Sequence, residues 1–128
     1  MGFPRPSTMR QAEDSAMRGI EGEQVLIRIY LGESKTVHRH PLHRRLLELF
    51  RQEGLAGATV LKGCVGYGHD RVVHTANIES LAAGLPVVIE TVDAPEHVDQ
   101  LLRKIDALMT GGLVMTERAH VVRYGPGS

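Results

Sequence analysis

Apolar side chains alternate along residues 25–31, the first regular segment of the chain. One side of an extended strand receives Val25, Ile27, Ile29 and Leu31. The opposite side receives Leu26, Arg28 and Tyr30. Because side chains of a strand point alternately to its two faces, this pattern predicts a strand with one buried face and a second face that carries a charge.

A spacing of three and four between apolar residues follows in PLHRRLLELFRQEG, residues 41–54. The apolar stripe consists of Leu42, Leu46, Leu49 and Phe50. Pro41 suits a helix start because its missing N–H would be unpaired there, and Gly54 suits a helix end. The segment therefore predicts an amphipathic helix.

Three further strands and a second helix are predicted downstream. The strands are AGATVLKGCVGYG, LPVVIETV and LVMTERAHVVRYG, beginning at residues 56, 85 and 113. Residues 94–112 repeat apolar side chains at helical spacing and end in a glycine pair. Asp93 is expected to cap this helix, with Glu96 completing a variant of the capping box. Residues 69–85 have no regular pattern beyond one short helical turn in IESLAAG, residues 78–84.

The order of predicted elements is β-α-β-β-α-β. Two helices with one apolar stripe each need a surface, and a four-stranded sheet provides one for both. We therefore predict an α+β fold, the ferredoxin-like sandwich, with an antiparallel sheet, its first and third strands central and both helices on one face. The second face, with Leu26 and Tyr30, is too apolar for water and predicts self-association. The domain is expected at 24–126, after a flexible tail at 1–23.

The composition restricts the partners and the compartment. The chain has 128 residues, enough for one domain, and its 15 basic and 15 acidic side chains cancel, so no global field recruits nucleic acid or an anionic membrane. No apolar run reaches the roughly 18 residues of a membrane span, and the N-terminal stretch lacks the apolar region of a secretory signal. A single cysteine, Cys64, excludes an intrachain disulfide. We expect a cytoplasmic protein in which Cys64 is a small buried hydrophobe.

Glycines at 63, 66 and 68 interrupt the second strand, and polar residues follow them. Glycine permits positive φ and close approach of a ligand, and successive amides in such a bend form an anion-binding nest. The candidate phosphate-binding residues are Gly66, Tyr67, Gly68, His69, Arg71 and His74. The alternative is a bulge and loop exit without a ligand.

A cluster of histidines precedes and enters the first helix, at His38, His40 and His43. Imidazoles this close suit zinc, copper or nickel. The neighbouring arginines repel a divalent cation, so the alternative is a solvated basic helix start, or contact with phosphate or an acidic partner.

The last strand carries the cations Arg118, His120 and Arg123. A cation on a strand of a self-associating sheet reaches a ligand at a subunit boundary. The alternative is an ordinary surface ion pair with Glu90 or Glu117.

Catalytic chemistry has little support in the sequence. No local base and orienting carboxylate accompany the nucleophile candidates Ser34, Ser80 and Cys64. A nucleotide hydrolase needs carboxylates for Mg²⁺, and no spacing indicates cooperation between Glu33, Asp70 and Glu90. We therefore expect a protein that is not an enzyme.

Several segments together resemble a bacterial and archaeal family of PII-like proteins, long known as a domain of unknown function. They are VLIRIYLGES, PLHRRLLELFRQEGLAGATVLKGCVGYG, HTA, LPVVIETVD and GLVMTERAHVVRY. The resemblance runs in the same order over residues 24–124. The combination of EGLAGATV, a G-[FY]-G turn and HTA is specific among ferredoxin-like domains.

The resemblance implies a signalling homotrimer whose three sheets face the threefold axis. It also implies an adenine nucleotide (AMP, ADP or ATP) in the cleft between subunits, and no tightly bound cofactor. The phosphates would meet Lys62, Gly63 and the turn Gly66-Tyr67-Gly68-His69, while Arg118 or Arg123 would come from a neighbouring subunit. Loop 69–85 would signal to a partner, for which a membrane transporter or channel is the precedent among PII proteins.

Two departures limit what the resemblance implies. The loop after Gly68 is shorter than that of nitrogen-regulatory PII proteins and has no tyrosine, and residues 109–112 lack their glycine-lysine loop. Sensing of 2-oxoglutarate and uridylylation are therefore not implied. The alternative function is a divalent-metal-binding trimer that resembles the cation-tolerance proteins, with His38, His40 and His43 as ligands.

Overall fold

The computed structural model describes residues 20–69, 71–75 and 84–125. In chain order the elements are β1 (Gly22–Gly32), β2 (Thr36–Val37), β3 (His40–Pro41), α1 (Leu42–Gln52), β4 (Ala58–Lys62), β5 (Val65–Gly66), β6 (His74–Thr75), β7 (Pro86–Asp93), α2 (Pro95–Leu108) and β8 (Leu113–Val121). The main sheet has four antiparallel strands in the order β4-β7-β1-β8. The predicted ferredoxin-like fold, with the first and third long strands central, is confirmed.

The core lies between the two helices and one face of this sheet. Its buried side chains are Ile27, Ile29, Leu31, Leu42, Leu46, Phe50, Val87, Ile89, Val98, Leu101 and Ile105. Both helices thus cover the same face, on which the odd-numbered residues of β1 and β7 lie. Full burial of one such side chain is worth roughly 1.5–3 kcal/mol, so the stripes that predict the helices also hold them on the sheet.

The second face of the sheet is more open and partly apolar. Tyr30, Leu61 and Leu113 are 38%, 50% and 55% exposed. At its centre Arg28 Nε donates to Glu90 Oε2 at 2.8 Å, and Arg28 Nη1 lies 3.4 Å from Glu117 Oε1. The hydrogen bond to Glu90 raises the pKa of Arg28 above its ordinary value. Self-association through this face stays a prediction.

Two short hairpins extend the connections between the long elements. β2 pairs with β3 between β1 and α1, and β5 pairs with β6 beyond the end of β4. The predicted second strand is therefore two strands, because the chain bends at Gly63 and Cys64. Of residues 69–85, for which the sequence predicts no strand, His74 and Thr75 form β6. The helical turn predicted at 78–84 lies outside the described residues except for Gly84.

The bend after β4 also overturns the prediction for Cys64. The thiol is exposed and not buried, since Cys64 lies between two strands and not within one. The apolar residue that follows it is exposed as well: Val65 is 57% exposed. The apolar character of this short segment therefore leads to a wrong prediction of burial.

Asp93 does not cap α2 as predicted. The N-cap residue is Ala94, without a side-chain hydrogen bond, and Asp93 is the last residue of β7. The Asp93 side chain is 7% exposed, and its Oδ2 lies 3.4 Å from His97 Nδ1. Burial raises the pKa of Asp93 above its ordinary value, although the Ala94 amide and His97 act to lower it. The carboxylate belongs to the covered face of the sheet because pairing with β1 continues to Val25.

The start of the folded domain lies close to its predicted position. β1 begins at Gly22, whereas the sequence predicts a domain from residue 24. Of the predicted flexible tail, residues 1–19 lie outside the described part of the chain. In the described ranges, α1 and α2 are both too short and too polar to cross a membrane.

Candidate ligand site at the glycine turn

The glycine turn lies where β4 ends, against the first residue of β7. The Gly63 amide donates to the Pro86 carbonyl at 2.7 Å. A Cβ on Gly63 would lie 2.7 Å from Pro86 Cγ, and one on Gly66 would lie 3.0 Å from the same atom. Neither glycine has a positive φ. Of the two predicted reasons for glycine here, close approach holds, and the group that approaches these two residues is the proline ring.

Gly68 differs from the two glycines before it. A Cβ at this position would meet no heavy atom within 4 Å, and its φ is not positive. Gly68 is exposed, and its carbonyl accepts a hydrogen bond from the Arg71 amide at 2.9 Å. Neither packing nor backbone geometry among the described residues requires glycine here, and none of these residues occupies the space that a Cβ on Gly68 would enter.

An ion pair stands beside the turn. Lys62 Nζ donates to Glu33 Oε1 at 2.8 Å, and the two side chains are 56% and 31% exposed. The Glu33 amide donates to the Leu85 carbonyl at 2.8 Å, which holds Glu33 at the start of β7. An exposed pair of this kind contributes at most about 1 kcal/mol to stability. An anion that binds Lys62 therefore loses little free energy by breaking the ion pair with Glu33.

The tip of the β5–β6 hairpin carries three of the predicted phosphate-binding residues. Tyr67 is 71% exposed, and His69 and Arg71 are exposed as well. Arg71 adopts a φ of 59°, in the left-handed region that non-glycine residues seldom occupy. The tip therefore presents an aromatic ring, an imidazole and a guanidinium group away from the core.

The base of the same hairpin is packed. His74 pairs in register with Gly66. Its ring lies so close to Gly84 that a Cβ there would be 2.9 Å from His74 Cε1, and Gly84 has a φ of 78°. His74 is thus held beside the turn, and glycine is required at 84 for both space and backbone geometry.

Arg118 lies far from the glycine turn within one protomer. Arg118 pairs in register with Val25, whereas Lys62 is level with Leu31 across β7. β4 and β8 are opposite edges of the sheet, three interstrand spacings or about 14 Å apart. The positions also differ by six residues along β1, or about 20 Å. The predicted site residues therefore fall into two sets, which we call the turn cluster (residues 62–74) and the edge cluster (Arg118 in β8, and Arg123 just after its end at Val121).

The edge cluster is not neutralised by the carboxylates that the sequence offers as partners. Glu90 and Glu117 both contact Arg28. His120 lies two residues from Arg118 in β8, and its Nδ1 is 2.6 Å from Glu23 Oε1. Arg118 and Arg123 are exposed and form no ion pair with another described residue.

The clustered histidines are not arranged as metal ligands. His38 lies in the turn of the β2–β3 hairpin, His40 in β3 and His43 in the first turn of α1. Among the residues that the structure describes, no three or more His, Cys, Asp and Glu side chains form a group that could hold a metal ion.

Two contributors to the turn cluster were missed at the sequence level. Pro86 forms the wall against which Gly63 and Gly66 pack, and Glu33 binds Lys62. Both lie on other strands, and Glu33 is 29 residues from Lys62. The signals available in the sequence were a proline at a strand start, which is unusual inside a sheet, and a carboxylate directly after the first strand.

Comparison with known proteins gives a consistent family. Residues 24–121 match the DUF190 family, described as "Uncharacterized ACR". A UPF0166 protein of Methanocaldococcus jannaschii is 33% identical over 99 residues, which cover 77% of this chain and 91% of that protein. A UPF0166 protein of Aquifex aeolicus is 32% identical over 97 residues, which cover 76% of this chain and 91% of that protein.

Solved structures share the fold at lower identity. A protein of Thermus thermophilus, provisionally named a PII-like signaling protein, has a TM-score of 0.59 and 19% identity over 80% of this chain and 94% of that chain. CPII from Thiomonas intermedia, bound to ADP and bicarbonate, has a TM-score of 0.58 and 18% identity over 79% of this chain and 90% of that chain. The fold is thus PII-like, and the chain belongs to the DUF190 (UPF0166) family.

Proposed function

We propose that this protein is a non-enzymatic, cytoplasmic regulator of the PII-like type that binds an adenine nucleotide. The nucleotide occupies the cleft between two subunits of a homotrimer, and loop 69–85 signals its presence to a partner protein. One observation carries the proposal: the candidate site residues form two clusters, and one protomer cannot bring them together.

The turn cluster supplies the first half of the site. The exposed pair of Lys62 and Glu33 is weak, at most about 1 kcal/mol. A phosphate, with more than one negative charge, therefore competes with Glu33 for the Lys62 ammonium group. The open space in front of Gly68 admits the phosphate, and the exposed side chains of His69 and Arg71 can close over it. In this proposal, contact of His69 and Arg71 with the phosphate fixes the hairpin tip in one conformation, which the partner protein recognises.

The edge cluster supplies the second half. In a closed ring of three subunits, each copy presents one edge of its sheet to a different surface of the next copy. Arg118 and Arg123 of one subunit then reach the phosphates held by the turn of its neighbour. The exposed apolar residues of the second sheet face favour such an assembly, because self-association removes them from water.

Adenine nucleotides are the ligand class for which the fold has a precedent. CPII was solved with ADP and bicarbonate, and in a second structure with ADP, AMP and bicarbonate. A shared fold does not by itself transfer a ligand, so the proposal depends on the cations and the open turn of this chain. For the signalling partner we propose a membrane transporter or channel, as in PII proteins.

Calorimetric titration tests the proposal. AMP, ADP, ATP and cyclic AMP are titrated into the purified protein and into Gly68→Ala and Gly57→Ala. A Cβ at either glycine meets no heavy atom within 4 Å, so both variants keep the fold, but only residue 68 faces the candidate site. We expect micromolar binding of one nucleotide to the parent protein and to Gly57→Ala, and at least a tenfold loss in Gly68→Ala (about 1.4 kcal/mol). Absence of binding by all four nucleotides contradicts the proposal.

A further inference from the structure

A second surface with its own chemistry lies on the β2–β3 hairpin and the start of α1. Residues 34–47 contain four cations, three histidines and no acidic side chain. The cations are Lys35, Arg39, Arg44 and Arg45. In a chain whose formal charges cancel, this is a strong local excess. None of these residues belongs to the turn cluster or the edge cluster.

Most of this positive charge is not neutralised. Lys35, Arg39 and Arg44 are exposed and form no ion pair with another described residue. Arg45 lies 3.6 Å from Glu48, which offsets its charge in part. The first turn of α1 contains no acidic residue, so the positive end of the helix dipole adds to the local potential.

The tip of the hairpin has an unfavourable backbone conformation. His38 and Arg39 have φ angles of 49° and 68°. A two-residue hairpin loop with positive φ at both positions favours Asn-Gly, and other residues there cost about 1 kcal/mol or more each. Pairing of Val37 with His40 and the bond from the Leu42 amide to the Lys35 carbonyl at 2.8 Å fix the loop. Histidine and arginine at this tip therefore reduce stability, which indicates that their side chains have a binding role.

We propose that this basic hairpin surface, formed by Lys35, His38, Arg39, His40 and Arg44, binds an acidic segment of a partner protein. Guanidinium groups bind carboxylates with two parallel hydrogen bonds, which suits Arg39 and Arg44 to an acidic ligand. This interaction goes beyond nucleotide binding and does not depend on it.

Other polyanions fit the surface less well. Residues 34–47 include no aromatic side chain on which the bases of a single-stranded nucleic acid could stack. The exposed residues within 34–47 are all polar or charged, so this surface offers no exposed apolar side chain to enter a bilayer. The four cations, one of them offset in part by Glu48, are only at the lower limit of the cluster of about 4–8 that binds anionic lipid.

A charge-matched pair of variants tests the proposal. The probe is a fluorescent peptide of 20 alternating glutamate and aspartate residues, with a single-stranded DNA 20-mer and phosphatidylserine-containing vesicles as competing ligands. Arg39→Gln/Arg44→Gln removes two exposed cations from the surface, and Arg51→Gln/Arg103→Gln removes two exposed cations elsewhere. We expect the first variant to bind the peptide about threefold to thirtyfold more weakly at constant salt, and the second to bind it as the parent does.

Three results overturn the proposal: no peptide binding by the parent protein, equal weakening in both variants, or tighter binding of DNA or vesicles through the same two arginines. A further variant separates binding from structure. His38→Asn/Arg39→Gly supplies the preferred residues of the turn, so its melting temperature should rise by several degrees while peptide binding weakens. If the melting temperature rises and peptide affinity is unchanged, the side chains at the tip have no binding role and the proposal is wrong.

Discussion

The turn cluster and the edge cluster differ in how firmly the protomer holds them. In the turn cluster, Gly63 and Gly66 pack on Pro86, and Lys62 is paired with Glu33. In the edge cluster, Arg118 and Arg123 are exposed and form no ion pair with another described residue. Substitution of Gly63 or Gly66 is therefore expected to change the stability of the protein, whereas substitution of Arg118 or Arg123 is expected to change only ligand binding. In our proposal, one protomer forms the first half of the site, and a neighbouring subunit completes it.

The largest expected effect comes from removing the edge cluster. Arg118→Ala/Arg123→Ala deletes two cations that, in our proposal, bind phosphate across the subunit boundary, each worth about 1.5–3 kcal/mol. We expect nucleotide affinity to fall by about a hundredfold or more, measured by calorimetry. The melting temperature should stay within about 2 °C of the parent because neither side chain packs in the protomer.

Gly63→Ala tests how closely the turn cluster packs on Pro86. The new Cβ would lie 2.7 Å from Pro86 Cγ, so the turn or the start of β7 must shift. We expect the free energy of unfolding to fall by about 1–3 kcal/mol in denaturant titrations. Gly57→Ala is the matched control, since its Cβ meets no heavy atom within 4 Å and stability should be unchanged or slightly higher. Equal stability of the two variants contradicts the close packing of Gly63 on Pro86.

Asp93 is level with Arg118 across β1. Its role is structural, so we expect its protonation to change the stability of the folded protein. Burial raises the folded pKa above 3.8, so the folded protein binds this proton more tightly than the unfolded chain. Stability due to this group is therefore highest at low pH and falls as the pH rises through the window above 3.8.

Asp93→Asn should remove that contribution. The parent protein minus the variant should show a difference in unfolding free energy that declines from about pH 3.8 upward and then becomes constant. Thermal melts across the acid range measure it, with nucleotide affinity at neutral pH as a control that should not change. A difference that is independent of pH would show that the Asp93 carboxylate is not desolvated in the folded protein.

The smallest expected effect is a gain of affinity. Glu33→Gln leaves the shape of the side chain but removes the carboxylate that binds Lys62. A phosphate then meets a free ammonium group and one negative charge fewer, so nucleotide affinity should rise about twofold to fivefold. The gain should disappear when Lys62→Ala is added. Weaker binding in Glu33→Gln alone would mean that Glu33 itself contacts the ligand.

The covered face of the sheet could be predicted almost entirely from the sequence. The alternation of apolar residues in β1 and the apolar stripe of α1 predict which side chains are buried. Ile27, Ile29, Leu46 and Phe50 are buried as predicted. The order of the long elements then left the ferredoxin-like arrangement as the way to cover both helices.

The errors concern residues whose positions depend on distant strands. Cys64 lies in an apolar run, but β4 ends at Lys62 because Gly63 turns onto Pro86. Asp93 resembles a helix cap, but the pairing of β7 with β1 continues to Asp93 and turns its carboxylate inward. The pair of Lys62 and Glu33 likewise joins residues 29 apart. Local pattern cannot reveal where such pairings begin and end.

Subunit complementation tests directly whether the nucleotide site lies between two subunits. Lys62→Ala/Gly68→Ala carries a defective turn and an intact edge cluster, and Arg118→Ala/Arg123→Ala carries the reverse. Each variant alone should bind no nucleotide. When the two are co-expressed in equal amounts, about a quarter of the clefts in random trimers join an intact turn to intact arginines. We predict parental affinity at about a quarter of the parental stoichiometry. If the co-expressed protein forms mixed trimers and still binds nothing while the parent binds, the site does not lie between subunits.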